Sequence, residues 1–136
     1  MAMIQLVYAS RPFGFDGAML NGILFDSREN NRRDRITGAL ICRQDIYLQL
    51  LEGPETAVMS CFGRILRDDR HVDVTRLLRR PTTSRLFPAW AMRDDGARSW
   101  MWSIREVAEG AVDRASGSEV SEIFQRLARE AHQPVV

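Results

Sequence analysis

The stretch Ile46-Tyr47-Leu48-Gln49-Leu50-Leu51 is the part of this sequence that decides the fold. Its apolar run predicts a strand buried in a sheet, and one polar residue, Gln49, interrupts it. A buried amide has to find hydrogen-bond partners, since leaving it without them costs about 1–3 kcal/mol. A second polar group, the phenol of Tyr8, lies in the strand-like run Met3–Ala9. Two strand residues that can bind one buried ligand are a stronger indication of function than any enzyme motif in the chain.

Outward from this strand, alternating and helix-spaced apolar residues predict four more strands and two helices. The predicted strands are Met3–Ala9, Ile36–Cys42, Ile46–Glu52, Val72–Leu78 and Ala89–Arg93, and the predicted helices run from Met19 to about Arg33 and from about Val58 to Leu66. The order β-α-β-β-α-β-β matches an α+β ferredoxin-like sandwich with one extra strand. We therefore expect both helices on one face of the sheet.

The C-terminal part of the sequence predicts helices of a different kind. Apolar residues at helical spacing, Val120, Ile123, Phe124, Leu127 and Ala131, indicate an amphipathic helix. Ser116 and Glu119 can cap its start, and a weaker helical pattern covers Ser99–Val107. A ferredoxin-like sheet has one face that its own two helices leave bare, and we expect the C-terminal helices to cover it. The chain then divides into a core over residues 1–95 and a helical extension over 96–136.

Composition argues against several classes of function. The 136 residues fit one domain with its own core. A formal net charge of +1 gives no basis for binding nucleic acid or a membrane surface. Cys42 and Cys61 lack CxxC spacing and a paired histidine, so we expect no metal site and two reduced core thiols. No signal peptide and no membrane-spanning stretch is recognisable, which predicts a cytoplasmic protein.

Strand alternation predicts a polar space between the sheet and the two helices. Tyr8 and Gln49 fall on strand faces that we expect to point towards the helices. Trp90 and Met92 share a face of the last predicted strand, which we expect to point the same way. The helices contribute Ile23, Ser27, Asn31 and Ile65. The space thus combines aliphatic walls with a phenol, two carboxamides and a thioether, without a nucleophile–base pair. Such a site suits a flat heteroaromatic ligand with donors and acceptors on its edge, and a flavin has that edge.

Five motifs, in order along the chain, resemble the BLUF family of blue-light sensors that use FAD. They are Tyr8-Ala9-Ser10; Asn30-Asn31 followed by Ile36-Thr37-Gly38; Leu48-Gln49-Leu50-Leu51-Glu52-Gly53-Pro54; Asp68-Asp69-Arg70-His71; and Phe87-Pro88-Ala89-Trp90-Ala91-Met92. No single motif is decisive, but five in register from about Ile4 to Arg93 are highly specific. The resemblance implies the ferredoxin-like fold already predicted, with the flavin between the two helices.

The resemblance also implies roles for the polar residues of the predicted space. Tyr8 resembles the tyrosine that gives the excited flavin an electron and then a proton. Gln49 resembles the glutamine that bridges this phenol and the flavin N5/O4 edge. Asn31 matches the asparagine that holds the flavin carbonyl and N3 edge, and Asn30 is its less constant neighbour.

Other matched residues have implied roles around the ring and its edge. They are Ile23 and Ile65 on either side of the ring, Arg64, Asp68, Arg70 and His71 near the cofactor's edge, and Trp90 and Met92 on the last strand, where the pair responds to a hydrogen-bond switch of the glutamine. Two residues depart from the family pattern: Tyr47 stands where phenylalanine is commoner, and Cys42 where an aromatic residue is frequent. Neither change removes an implied contact with the cofactor.

The resemblance implies a blue-light photoreceptor and not an enzyme. Excitation of FAD would drive reversible proton-coupled electron transfer between Tyr8, Gln49 and the flavin, with a hydrogen-bond rearrangement at Gln49. FMN or riboflavin is an alternative chromophore, because contacts with the ring dominate the site. We expect the signal to pass to a separate effector protein or through self-association, as a homodimer or a higher homo-oligomer that uses the C-terminal extension.

Two other functions fit parts of the sequence. An acylphosphatase-like hydrolase would use Arg11 to hold phosphate and Asn31 to orient water, although its glycine-rich phosphate loop is absent. A cofactor-free interaction module would need no such site. Taken singly, Tyr8, Gln49 and Asn31 are also typical of ordinary core or helix-end residues. The colour of the purified protein separates these alternatives from a photoreceptor.

Overall fold

The elements follow the predicted order, and the first and fourth strands run further than predicted. The computed structural model describes residues 2–12, 17–68, 71–90, 92–96 and 98–131. These residues form the strands β1 (Met3–Pro12), β2 (Thr37–Arg43), β3 (Ile46–Pro54), β4 (His71–Thr82) and β5 (Arg93–Gly96), and the helices α1 (Gly17–Asp34), α2 (Glu55–Leu66), α3 (Ile104–Ala108), α4 (Ala111–Arg114) and α5 (Gly117–Ala131). None of the described helices is long and apolar enough to cross a bilayer.

The sheet has the strand order β4-β1-β3-β2-β5. β1 pairs antiparallel with β3 and β4, and β2 pairs antiparallel with β3. The short strand β5 adds to this sheet parallel to β2. The ferredoxin-like α+β fold predicted from the sequence is therefore confirmed, with the extra strand at the β2 edge. In the β1–β3 register Tyr8 lies opposite Gln49, so the two polar residues of the buried strands are cross-strand neighbours.

Alternation along the central strands sends their apolar residues into two separate cores. One core lies between the sheet and the helices α1 and α2, and it contains Leu6, Tyr8, Tyr47 and Leu51 among others. The other core is covered by the C-terminal helix: Val120, Ile123, Phe124 and Leu127 of α5 pack with Val7, Ile41, Leu48 and Leu50 of the sheet. The predicted covering of the second face by the C-terminal helices is confirmed.

The predicted strand Ala89–Arg93 is misplaced, because the strand that the structure contains begins at Arg93. Pro88 and Ala89 form a turn instead, in which the Trp90 N–H donates to the Phe87 carbonyl at 3.4 Å. A proline has no N–H to give to a sheet, so it favours this turn over a strand. Strand alternation therefore does not relate the side chains of Trp90 and Met92.

Trp90 and Met92 consequently do not share a face, contrary to the sequence prediction. Trp90 packs against the core under α5, where its ring contacts Phe87 at a centroid distance of 6.2 Å. Met92 is buried in the other core, beside Tyr8. Only Met92 of this pair faces the space between the sheet and the two long helices.

Helix α5 has a capped start and is bound to the segment after β5 by two indoles. Ser116 accepts a hydrogen bond from the Glu119 N–H at 3.1 Å, which confirms half of the predicted capping box. The Glu119 carboxylate instead accepts from Trp102 Nε1 at 2.6 Å. Trp100 Nε1 donates to Glu130 at 3.0 Å, and Arg126 lies over the Trp100 ring. The segment that follows β5 is thus fastened to α5 at two points along the helix.

Gly38 marks the place where β2 approaches its neighbours most closely. Its N–H donates to the Trp90 carbonyl at 3.2 Å, and a Cβ at this position would lie 1.9 Å from the Leu50 carbonyl oxygen. Backbone atoms of a central strand cannot move away cheaply. We expect Gly38→Ala to lower the free energy of unfolding by at least about 2 kcal/mol, measured by urea denaturation.

Gly63→Ala is the matched control for this prediction. Gly63 lies inside α2, where an added Cβ would meet its nearest atom at 3.7 Å. Alanine is favoured over glycine in a helix interior, so this variant should be more stable by about 0.5–1 kcal/mol. Equal stabilities of the two variants would contradict the close approach of β2 and β3.

Candidate functional site

A cleft of about 220 Å³ opens between α1 and α2 above the sheet. Its lining residues are Ile23, Asp26, Ser27, Asn30, Asn31, Gln49, Cys61, Arg64, Ile65, Asp68 and His71. Pockets for drug-sized ligands measure about 300–1,000 Å³, so this cleft is smaller than a site that encloses such a ligand. The cleft brings together eight residues that the sequence predicted around a cofactor: Asn30, Asn31, Gln49, Ile23, Ile65, Arg64, Asp68 and His71. A ninth, Arg70, lies outside the described residues.

Gln49 is held at both ends of its carboxamide. Its Oε1 accepts a hydrogen bond from Tyr8 Oη, and its Nε2 donates to Met92 Sδ at 3.2 Å. All three side chains are at most 2% exposed. The antiparallel register of β1 and β3 places the Tyr8 phenol opposite Gln49. The chain that follows the Pro88 turn brings the Met92 thioether to the other end of the carboxamide. The burial cost that the sequence predicted for Gln49 is thus offset by partners on either side.

Tyr8 keeps its proton because of its surroundings. Burial raises the pKa of its phenol well above the ordinary value of 10.0, and the nearby Cys61, Asp68 and Tyr47 act in the same direction. A neutral phenol has one O–H to donate. The hydrogen bond to Gln49 therefore runs from the phenol to the amide oxygen.

Asn31 places a second buried carboxamide at the cleft. It lies in the last turn of α1 with 1% of its surface exposed, and Cys61 Sγ of α2 donates to its Oδ1 at 3.9 Å. Burial raises the pKa of the Cys61 thiol, against an opposing effect of Arg64, so the thiol remains a donor at neutral pH. Because the S–H points at Oδ1, the two helices are linked directly across the site.

The walls of the cleft are aliphatic, since Ile23 on α1 and Ile65 on α2 both line it. Together with Asn31 and Gln49, they offer apolar contacts for a flat ring and carboxamide donors and acceptors for its edge. A flavin ring has two apolar faces and an edge of carbonyl and nitrogen atoms, so the donor set of the cleft fits a flavin. Among the described residues, no group of three or more His, Cys, Asp or Glu side chains is arranged to hold a metal ion.

The rim of the cleft is charged on the α2 side and aromatic towards β4. Arg64 is paired with Asp34 at 3.3 Å and remains 37% exposed, so it can turn towards a ligand at the rim. His71 is nearly buried, and its Nδ1 is hydrogen-bonded to Ser10 Oγ at 2.9 Å. Its ring contacts those of Tyr8 and Tyr47 at centroid distances of 5.9 and 5.4 Å.

For three residues of the site, the sequence predicted no role or a different position. Cys61 was predicted only as a core thiol; it is buried, but it also lines the cleft and donates to Asn31. Ser10 falls just outside the predicted strand Met3–Ala9, whereas in the structure it lies in β1 and is hydrogen-bonded to His71. Arg28 donates from Nε to the Met92 carbonyl at 3.1 Å, across 64 positions of sequence, and no local pattern indicates this contact.

The hydrolase alternative required Arg11 and Asn31 to act on one substrate, and the structure separates them. Arg11 is paired with Asp73 at the exposed end of β1 and lines clefts beside α3 and α4. Asn31 lines the cleft between α1 and α2. An arginine that holds phosphate next to a water-orienting asparagine is therefore not formed by these two residues.

Known proteins resemble this chain in sequence. The sequence model of the family described as BLUF, sensors of blue light using FAD, matches residues 3–93. The photoactivated adenylate cyclase subunit beta of Euglena gracilis is 35% identical over 74 residues, which are 54% of this chain and 9% of that protein. The subunit alpha-like protein FB of Euglena gracilis is 38% identical over 87 residues, 61% of this chain and 8% of that protein. The chain thus spans about a tenth of the length of these curated relatives.

Solved structures match over almost the whole chain. The dark-state structure of BlrB, a BLUF protein, superposes with a TM-score of 0.78 at 30% identity and covers 95% of this chain and 97% of its own. A bacterial light-regulated adenylyl cyclase superposes with a TM-score of 0.67 at 28% identity, over 98% of this chain and 37% of its own. BlsA in its ground state has the same fold at 21% identity, with a TM-score of 0.75 over 93% of this chain and 87% of its own. The chain therefore belongs to the BLUF family of blue-light sensors that use FAD.

Proposed function

We propose that this chain senses blue light through a hydrogen-bond switch formed by Tyr8, Gln49 and Met92. The observation that carries the proposal is the double engagement of Gln49, whose amide is held by a phenol at one end and by a thioether at the other. Bound FAD supplies absorption of blue light and, in its excited ring, a one-electron oxidant. The cleft next to Gln49 has the residues that would hold this ring: Asn31, Asn30, Ile23 and Ile65, with Arg64, Asp68 and His71 at its rim.

Tyr8 is the electron and proton donor of the proposed switch. Its phenol would give one electron to the excited ring, while the Oη proton would move along the existing hydrogen bond to Gln49 Oε1 and an Nε2 proton would pass from the amide to the ring. Oxidation of a phenol makes its proton strongly acidic, so the two transfers are coupled. The electron and the proton return to Tyr8 when the state reverts, and no bond of the chain is permanently changed.

Gln49 converts this transfer into a structural difference. In the arrangement described above, Nε2 donates to the sulfur of Met92, which can accept a hydrogen bond but has none to donate. If the carboxamide turns over, Oε1 faces the sulfur and the contact is lost. The switch therefore has two states that differ in whether the chain at Met92 is held, which is the kind of difference that a partner can read.

The output is proposed to reach a separate effector protein. Met92 immediately precedes β5, and the segment after β5 is fastened to α5 through Trp100 and Trp102. A movement at Met92 thus has a short covalent route to the C-terminal extension, residues 96–136, from the sensory core, residues 1–95. We propose a homodimer or a higher homo-oligomer built on this extension, and a sensor that itself catalyses no reaction.

Absorption spectra test the proposal directly. The purified protein is measured in the dark and after blue illumination, and its chromophore is released by heat and identified. We expect an FAD spectrum that moves to longer wavelength as a whole and returns in darkness. A bound flavin that bleaches instead would indicate a redox flavoprotein. A protein that takes up no flavin on reconstitution with FAD, FMN or riboflavin would favour the interaction module.

A further inference from the structure

A buried carboxylate, Glu52, lies on the same strand as Gln49 but on the opposite face of the sheet. It is 0% exposed. Its oxygens accept hydrogen bonds from Phe87 N at 2.7 Å, Leu86 N at 2.9 Å, Gln5 Nε2 at 3.3 Å and Thr37 Oγ1 at 3.4 Å. Burial of a carboxylate is costly unless it is well hydrogen-bonded. These four donors therefore stabilise the Glu52 carboxylate in its buried position. The two shortest bonds come from backbone amides.

These two amides belong to the loop that connects β4 to Met92. Arg85 fastens the same loop, since its guanidinium donates to the carbonyls of Glu52 at 2.9 Å and Arg35 at 2.8 Å. Further along, the Trp90 carbonyl accepts from Gly38 N at 3.2 Å. The loop is thus bound to β2 and β3 from Arg85 to Trp90, and Met92 follows two residues later.

Glu52 does not contact the cleft, so any effect on the switch has to pass through this loop. Along β3, Gln49 points to the side of α1 and α2, and Glu52 points to the other side. The distance between Gln49 Nε2 and Met92 Sδ depends on where the loop between β4 and Met92 positions Met92. A sulfur is a weak acceptor, so a small displacement is enough to end its hydrogen bond.

We propose that Glu52 is a positioning residue for the contact between Gln49 and Met92, and that it thereby sets the lifetime of the light-adapted state. The inference rests on the proposed switch and assigns it a component on the far side of the sheet. Loss of the Glu52 charge weakens the anchorage of Leu86 and Phe87. The Met92 sulfur is then less well placed to accept the hydrogen bond from Gln49 Nε2. The dark arrangement loses a contact that stabilises it, so the return to this arrangement is less favoured.

The test compares Glu52→Gln with Met92→Leu and with the double variant. We expect Glu52→Gln to slow dark recovery by about threefold or more, and to have almost no further effect once Met92 is replaced, because variants that act through one contact are not additive. Glu119→Gln is the control, since it removes a carboxylate that also binds a neighbour but lies on α5. It should leave recovery unchanged.

A second readout does not depend on the photocycle. The ¹³C-methyl resonance of Met92, assigned through Met92→Leu, is recorded in the dark with and without flavin, together with the melting temperature. We expect this resonance to shift in Glu52→Gln and to stay in place in Glu119→Gln. A lower melting temperature with an unchanged Met92 resonance and unchanged recovery would overturn the proposal and leave Glu52 a structural residue.

Two further outcomes are distinguishable. If Glu52→Gln does not fold, Arg85→Gln removes the other anchorage of the same loop from a half-buried position, and the same shift and slowing are expected of it. If the unmodified protein shows no red shift, the proposed switch fails, whereas a Met92 resonance that responds to Glu52 still supports the positioning role. A Met92 resonance that responds to neither variant would overturn that role as well.

Discussion

In the Tyr8→Phe variant, blue light is expected to produce no red shift, although the flavin remains bound. Phenylalanine preserves the ring, which packs against Phe62 and His71 at centroid distances of 5.7 and 5.9 Å. It removes only the hydroxyl that donates to Gln49 Oε1. The fold should lose about 1–2 kcal/mol, since the amide oxygen is left without this donor. The light-minus-dark difference spectrum should vanish, while the flavin content stays equal to that of the unmodified protein.

Tyr47→Phe is the matched control, because Tyr47 is also a fully buried tyrosine beside His71. It faces the same core as Tyr8 but makes no hydrogen bond to Gln49 in the structure described above. We expect its red shift to be retained. A normal red shift in Tyr8→Phe, or its loss in Tyr47→Phe alone, would show that the wrong phenol has been assigned as the donor.

The second large effect is expected for Gln49→Leu, in which no carboxamide remains to rearrange. Leucine places an apolar side chain of similar size in the buried strand, so we expect the fold to persist. The red shift should be absent at all light intensities. The phenol of Tyr8 loses its acceptor, and a buried hydroxyl without a partner costs about 1–3 kcal/mol. Flavin absorption before and after illumination, with urea denaturation, measures both effects.

The double variant Tyr8→Phe/Gln49→Leu separates the photochemical loss from the loss of stability. With both partners apolar, no buried donor is left unsatisfied, so Gln49→Leu should cost at least about 1 kcal/mol less in the Tyr8→Phe background than alone. The red shift should be absent in all three variants. Additive losses of stability would contradict the hydrogen bond between Tyr8 and Gln49.

The sequence was sufficient to predict the parts of the site that lie on regular elements. Period-two alternation assigned Tyr8 and Gln49 to one side of the sheet, and helical spacing brought Ile23, Asn31 and Ile65 to the same cleft. The apolar stripe of α5 likewise predicted an amphipathic helix, and the expected fold left one bare sheet face for it to cover. These predictions succeed because a buried face constrains every second residue of a strand and every third or fourth residue of a helix.

The sequence was insufficient where a turn or a distant partner decides the position of a side chain. Trp90 and Met92 were placed on one face because the segment was read as a strand, and the turn at Pro88 separates them. Arg28 reaches the Met92 carbonyl from another element. Glu52 looks like an ordinary acidic residue near the end of a strand, and its burial becomes evident only when the loop from Arg85 to Trp90 lies over it.

The covering of the sheet by α5 has a consequence for any protein that reads this surface. The helix competes, within the same molecule, with whatever would bind the apolar strands beneath it. A partner for those strands binds only molecules whose α5 has detached, so its apparent dissociation constant is the intrinsic one divided by the detached fraction. The indole contacts of Trp100 and Trp102 with α5 keep that fraction small. A light signal that reached α5 would then need to create no new surface, because changing how often the existing one is uncovered would be enough.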